Sequence, residues 1–179
     1  MIKILLTIFV IILVPVYWQH YGAQNFLWLS DIGLFLTLIA LLLESPLLLS
    51  TTMLCVLPVE IIWSIDFFFQ LISGNTLLGI AHYMFESEHS LFIRALSLFH
   101  IFVPLIWFWY SYKWGYDKRA LPCATLLLWV VMLATYLLTD PAENINWVFT
   151  PHRIILMLII PVAVYWPLTI IFQRTFNRE

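Results

Sequence analysis

Four ionisable residues, Asp31, Glu60, Asp66 and His100, lie inside stretches that are otherwise apolar. Charge at membrane depth is costly, so such positions are read first for function. His100 has the chemistry of a general base: a carboxylate on one ring nitrogen fixes its tautomer and leaves the other nitrogen free to take a proton. Asp31 and Asp66 are the carboxylates expected to orient it, and Ser30, directly before Asp31, is the expected nucleophile. Arg94 is placed to bind a carboxylate or phosphate headgroup, or to stabilise developing negative charge. Ser64 and Ser97 are further hydroxyls, although a serine in a membrane helix often bonds back to its own backbone. No G-x-S-x-G elbow is present. The same acids and His100 also read as polar contacts between helices, and Glu60 as a protonated acid or a proton relay.

The elements that must position these groups are six apolar stretches, at 2–19, 26–43, 47–73, 91–112, 120–139 and 152–173. Each is close to the roughly 20 residues a helix needs to cross a bilayer. The expected fold is therefore all-α, a single polytopic bundle of six transmembrane helices over residues 1–179. With span two entering from the outer side, Asp31 lies shallow, Asp66 lies about two turns from the outer end of span three, and Arg94 and His100 lie in the outer half of span four. One outward-facing cavity shared by these four residues is the expectation. Pro104 frees the carbonyl of His100, so a bend is expected beside the histidine.

Composition agrees with that architecture. The chain has 179 residues, of which 63% are hydrophobic and only 10% charged, against about 25% charged in a soluble domain. No dense basic patch suggests nucleic acid, and no glycine-rich phosphate loop implies a soluble cofactor. Cys55 and Cys123 form no C-x-x-C spacing and read as buried small apolar residues. His82, Glu86 and His89 have helical spacing but no H-E-x-x-H pattern, and no metal site is read from them. The first stretch has the apolar core of a signal peptide. Bulky Tyr21 stands where a cleavage site needs a small residue, so it reads as an uncleaved helix. Lys3, Lys113, Lys118, Arg119, Arg174 and Arg178 fall on the side of the termini and only Arg94 and Arg153 on the other, which places both termini in the cytoplasm. Ser45-Pro46 and Thr150-Pro151 read as helix starts, and Asp140-Pro141-Ala142-Glu143 as a capping box for a short helix.

Several segments together resemble a known family. They are Asn25-Phe26-Leu27-Trp28-Leu29-Ser30-Asp31, Leu57-Pro58-Val59, Leu96-Ser97-Leu98-Phe99-His100 followed by Pro104-Leu105, and Asn146-Trp147-Val148-Phe149. The chain is similar to the androgen-induced and androgen-dependent TFPI-regulating integral membrane proteins and related bacterial six-span proteins. The match covers roughly residues 25–150. The resemblance implies a small hydrolase of lipid esters using a threonine on an early span and a histidine on a later one. His100 falls at the histidine and Trp28 at the threonine. Ser30, the nearest hydroxyl, points about 200° away from Trp28 in a helix. With Arg94, the residues Trp28, Asn146 and Trp147 are the substrate-binding candidates.

The function expected from these readings is a membrane-embedded hydrolase or acyl-transfer enzyme acting on a lipid or fatty ester at the outer leaflet. Its partners are the bilayer and a lipid substrate, with an oligomer compatible, in a bacterial inner membrane. The alternatives are a non-catalytic assembly or lipid-binding protein and a small proton-coupled transporter. Few glycines and no inverted repeat argue against the last.

Overall fold

A computed structural model describes residues 1–177, apart from the side chain of Leu156. Among these residues the chain is helical, with no strands. Five helical stretches are long and apolar enough to cross a membrane: Ile2–Tyr21, Pro46–Ser73, Leu91–Trp114, Ala120–Leu138 and Arg153–Phe176. Leu29–Leu42, within the second expected stretch, is apolar but shorter. Ile4, Leu5, Ile8, Ile11, Leu126, Leu133, Ile154 and Leu158 are exposed. Water would penalise such a surface at about 25 cal/mol per Å² of apolar area. Lipid does not, and the protein is a membrane protein.

Helix α1 (Ile2–Tyr21) leads through a 3₁₀ turn at Ala23–Leu27 into α2 (Leu29–Leu42). Helix α3 (Pro46–Ser73) is the longest, and it packs against α2, α5 (Phe99–Trp114) and α6 (Ala120–Leu138). In its most apolar window 61% of residues are buried, against 12–28% in the other four stretches, which makes α3 the axis of the bundle. It starts as its sequence suggests, with the Ser45 hydroxyl accepting from the Leu48 N–H and Pro46 at the first helical position. Gly33 lets α2 approach α3 closely, since a Cβ there would meet Val56 Cγ1 at 2.9 Å.

Polar side chains pin these helices where hydrophobic burial cannot, because lipid tails are as apolar as the core. Trp107 of α5 donates its indole N–H to Thr37 of α2 at 2.6 Å. Tyr165 donates to the Cys55 carbonyl of α3 at 3.0 Å, beside the ladder interruption that Pro58 causes. Ser50 of α3 accepts from the Asp117 N–H at 3.0 Å.

Span four is not one regular helix. It breaks between α4 (Leu91–Leu96) and α5, with three-residue hydrogen bonds from His100 N to Ser97 O and from Ile101 N to Leu98 O. The bend thus lies beside His100, as expected, while α5 itself runs on through Pro104. A proline strains the turn before its ring, and the relief is taken there. The last stretch comprises α7 (Arg153–Ile160), a π-helical segment at Pro161–Tyr165 and α8 (Trp166–Phe176). Pro161 frees the Met157 carbonyl, which instead accepts from the Trp129 indole of α6 at 2.9 Å.

Two expected helix starts differ. Helix α7 begins at Arg153 rather than at Pro151, and the Thr150 hydroxyl donates back to the Trp147 carbonyl instead of capping it. Asp140 closes a turn by accepting from the Ala142 N–H at 2.8 Å, and residues 141–143 form that turn rather than a helix. Of the residues read as marking the side of the termini, Arg178 lies outside the described residues.

Candidate functional site

At one end of the bundle, the end of α1, the start of α2, Val59 and Trp63 of α3, the 80–83 segment, Ser97 at the break before α5, the first turn of α5 and the 143–147 segment surround a cavity of ≈ 250 Å³. His100 lines it. The break at Ser97-Leu98 sets His100 in the first turn of α5, with its Nδ1 2.5 Å from Glu60 Oε2. Glu60 is fully buried on α3. Trp63, one turn along α3, stacks on the imidazole at 4.3 Å and 15°. The ring is thus held on one nitrogen by a carboxylate and across its face by an indole. Its other nitrogen, Nε2, makes no hydrogen bond among the described residues.

The carboxylate on His100 differs from the sequence expectation. It belongs to Glu60, whereas Asp31 and Asp66 were the residues expected to orient the ring. Asp31 does line the cavity, and it is 4% exposed. Its Oδ2 receives a long contact from Asn25 Nδ2 at 3.4 Å, and its Oδ1 has no partner among the described residues. Asp66 faces away from the cavity into the following loop. Its carboxylate accepts from the backbone N–H groups of Leu78 at 2.6 Å, Gly79 at 3.3 Å and Ala81 at 2.8 Å. It organises that loop as a bound anion would.

Arg94 is not in the cavity wall either. Its Nη1 donates to the Met84 carbonyl at 3.0 Å, tying α4 to the 3₁₀ turn at His82–Phe85. The four-residue cluster expected from depth therefore divides: Asp31 and His100 share the cavity, while Asp66 and Arg94 hold the loop above it.

Asn146 likewise serves the scaffold. Its Oδ1 accepts from the Leu29 N–H at 2.9 Å, and its Nδ2 donates to the Leu27 carbonyl at 2.7 Å and to Thr135 Oγ1 at 3.2 Å. It satisfies an orphan donor at the start of α2 and joins that start to α6. The price is local conformation, for Asn144, Asn146 and Trp147 all hold positive φ, at 41°, 52° and 55°. Trp28 and Trp147 form a wall of the cavity, packed edge to face at 5.8 Å.

Of the serines, Ser30 and Ser97 line the cavity. Ser97 is engaged with the Tyr17 hydroxyl at 2.7 Å, whereas Ser30 makes no side-chain hydrogen bond among the described residues. Tyr17, Tyr21 and Tyr83 also line the cavity, and the Tyr21 hydroxyl is buried without a partner. Burial raises the pKa of Tyr83 above the ordinary phenol range and keeps it neutral.

A second hollow of ≈ 190 Å³ shares Tyr21, Asn25, Trp28 and Glu143 with the first and adds His20, Gln24 and Ile145. The residues with helical spacing do not share one helical face: His82 sits in a 3₁₀ turn bonded to Gln70 at 3.0 Å, and His89 reaches across to His20 at 3.0 Å.

Glu60 is the main residue whose role the sequence reading missed. Helix α3 has 28 residues, or about 42 Å at 1.5 Å per residue, well beyond a hydrocarbon core of about 30 Å. Assigning the surplus to its outer end brings Glu60 to the depth of His100. Compared with protein-family models, curated proteins and solved structures, the chain matches none.

Proposed function

We propose that this protein is a six-span membrane hydrolase or acyl-transfer enzyme for a lipid or fatty ester, with His100 as its general base. The observation that carries the reading is the Glu60–His100 pair at the wall of a cavity, with one ring nitrogen bonded to the carboxylate and the other unbonded. In this reading the Ser30 O–H gives its proton to His100 Nε2 while its oxygen attacks the ester carbonyl. The C–O bond to the alcohol breaks, and the alcohol leaves with the proton from the imidazolium. Water, or a second alcohol in acyl transfer, then gives a proton to His100 Nε2 and attacks the acyl carbonyl; the bond to Ser30 Oγ breaks, the imidazolium returns its proton to that oxygen, and the acid or new ester leaves. Ser30 is preferred over Ser97 because Ser97 is already bonded to Tyr17. The resemblance to the androgen-induced and androgen-dependent TFPI-regulating membrane hydrolases supports the same histidine.

The finer topology belongs to this proposal. Helix α2 is the sixth span, and both termini lie in the cytoplasm of a bacterium. Lys3, Lys113, Lys118, Arg119 and Arg174 support this by outnumbering Arg94 and Arg153 at the opposite end. The cavity then opens toward the outer leaflet.

The test is ester hydrolysis by the purified full chain in lipid nanodiscs, using a fatty acyl ester probe. His100→Ala and Ser30→Ala should each lose at least about a hundredfold in rate. Equal rates in wild type and His100→Ala would remove the proposal. A second reading, a non-catalytic lipid-binding protein, is favoured by one observation: no hydroxyl is bonded to His100 among the described residues. It expects no turnover, with His100→Ala lowering thermal stability alone.

A further inference from the structure

We infer that the cavity binds an organic ammonium group through Asp31, with an aromatic wall around it; this rests on the same site as the proposed hydrolase and assigns the headgroup of its substrate. Three independent features meet there. Asp31 is 4% exposed, lines the cavity and leaves Oδ1 without a hydrogen-bond donor. A buried carboxylate oxygen in that state lacks both a donor and a counter-charge. The surrounding wall is aromatic: Tyr17, Tyr21, Trp28, Trp63, Tyr83 and Trp147. The faces of such rings attract cations. Finally, no lysine or arginine lines the cavity among the described residues, and its other acid is Glu143. Arg94, expected from sequence to receive an anionic headgroup, is turned to the Met84 carbonyl instead.

Size and hydrogen bonding narrow the class. A volume of ≈ 250 Å³ corresponds to about eight waters at about 30 Å³ each. That accommodates a headgroup and not a whole lipid. The ammonium should carry N–H groups, because Asp31 Oδ1 and the Tyr21 hydroxyl both lack partners and a quaternary ammonium has no proton to give them. The shared chemistry is a primary alkylammonium, present both in an ethanolamine lipid headgroup and in a free amine.

The experiment titrates the purified full chain, in phosphatidylcholine nanodiscs at fixed ionic strength, with ethanolamine, ethylene glycol and glycolate. These probes are similar in size and differ in charge. Binding is read by calorimetry and by tryptophan fluorescence, and needs no turnover. Ethanolamine is expected to bind at least tenfold more tightly than the other two, and more tightly than choline. Asp31→Asn should weaken ethanolamine at least tenfold, and Tyr21→Phe should weaken it severalfold. Equal binding of the three probes, no binding of any, choline binding as tightly as ethanolamine, or an unchanged Asp31→Asn affinity would each overturn the inference. The charge series uses wild-type protein, so a variant that fails to fold does not rescue the idea. Repeating the titration with phosphatidylethanolamine in the nanodisc identifies the source: competition supports the lipid headgroup, and unchanged binding supports a free amine. Ammonium binding without ester turnover would retain this inference and remove the hydrolase. Turnover without ammonium binding would do the reverse.

Discussion

Glu60 and His100 show how one contact decides what a residue can do. With Glu60 on Nδ1, the imidazole keeps a fixed tautomer and its Nε2 is the basic atom. Glu60→Gln keeps a hydrogen-bonding side chain but removes the charge that stabilises the imidazolium. On the proposed mechanism it should lower kcat by about 10²-fold or more, with KM little changed. Full activity in this variant would sever Glu60 from the chemistry. Asn146 offers a contrasting test. Its loss strands the Leu29 N–H and the Leu27 carbonyl, so Asn146→Ala should cost about 1–3 kcal/mol in stability. The readout is thermal unfolding in detergent, and an unchanged midpoint would mean that water takes over both bonds. Residue types single out Asp31 and His100, which line one cavity. They did not tell which acid meets the histidine, because Glu60, Asp66 and Asp31 carry the same chemistry and only the packing of α2 and α3 against α5 distinguishes them.

At the scale of elements, the helix-forming stretches were legible because continuous apolar runs admit little else in lipid. Ser45-Pro46 was legible as a start because its chemistry is local. The bend beside His100 was legible from Pro104 too, although a full break at Ser97-Leu98 was not, since packing against α3 decides how far the distortion goes. Thr150-Pro151 failed as a start for a related reason: the Thr150 hydroxyl found the Trp147 carbonyl first. The close approach of α2 and α3 gives a sharp test. Gly33→Ala would place a methyl 2.9 Å from Val56 Cγ1 and 3.1 Å from Cγ2. It should destabilise by about 1–3 kcal/mol through overpacking. Adding Val56→Ala should return part of that loss, as measured by a double-mutant cycle in thermal unfolding. Additive effects would place the strain elsewhere.

At the scale of the molecule, the two ends of the bundle differ in kind. One end carries short surface ion pairs, Lys3 with Glu44 at 2.6 Å and Arg119 with Asp117 at 2.7 Å. The hydrogen bonds and positive charge of these partners hold both carboxyls below their usual range. Such groups stabilise the folded state above the ordinary carboxylate range, and that contribution is lost as pH falls through their lowered values. Unfolding scans should therefore show no loss from these pairs between pH 8 and 6 and a progressive loss below about pH 4. Exposure keeps the effect small, and added salt should shrink it further. The other end holds the cavity, and α2 is the element that ends short there. Its 14 residues reach about 21 Å at 1.5 Å each, some 9 Å less than a hydrocarbon layer of about 30 Å. On the proposed six-span topology, the missing depth would fall to the Ala23–Leu27 turn and the Ile145–Trp147 turn beside it. Irregular backbone is tolerated at such depth only against protein or a watery recess. On the proposed six-span topology, a truncated α2 leaves a dimple at that end of the bundle, where an amphiphile would sink its polar end without first leaving its leaflet.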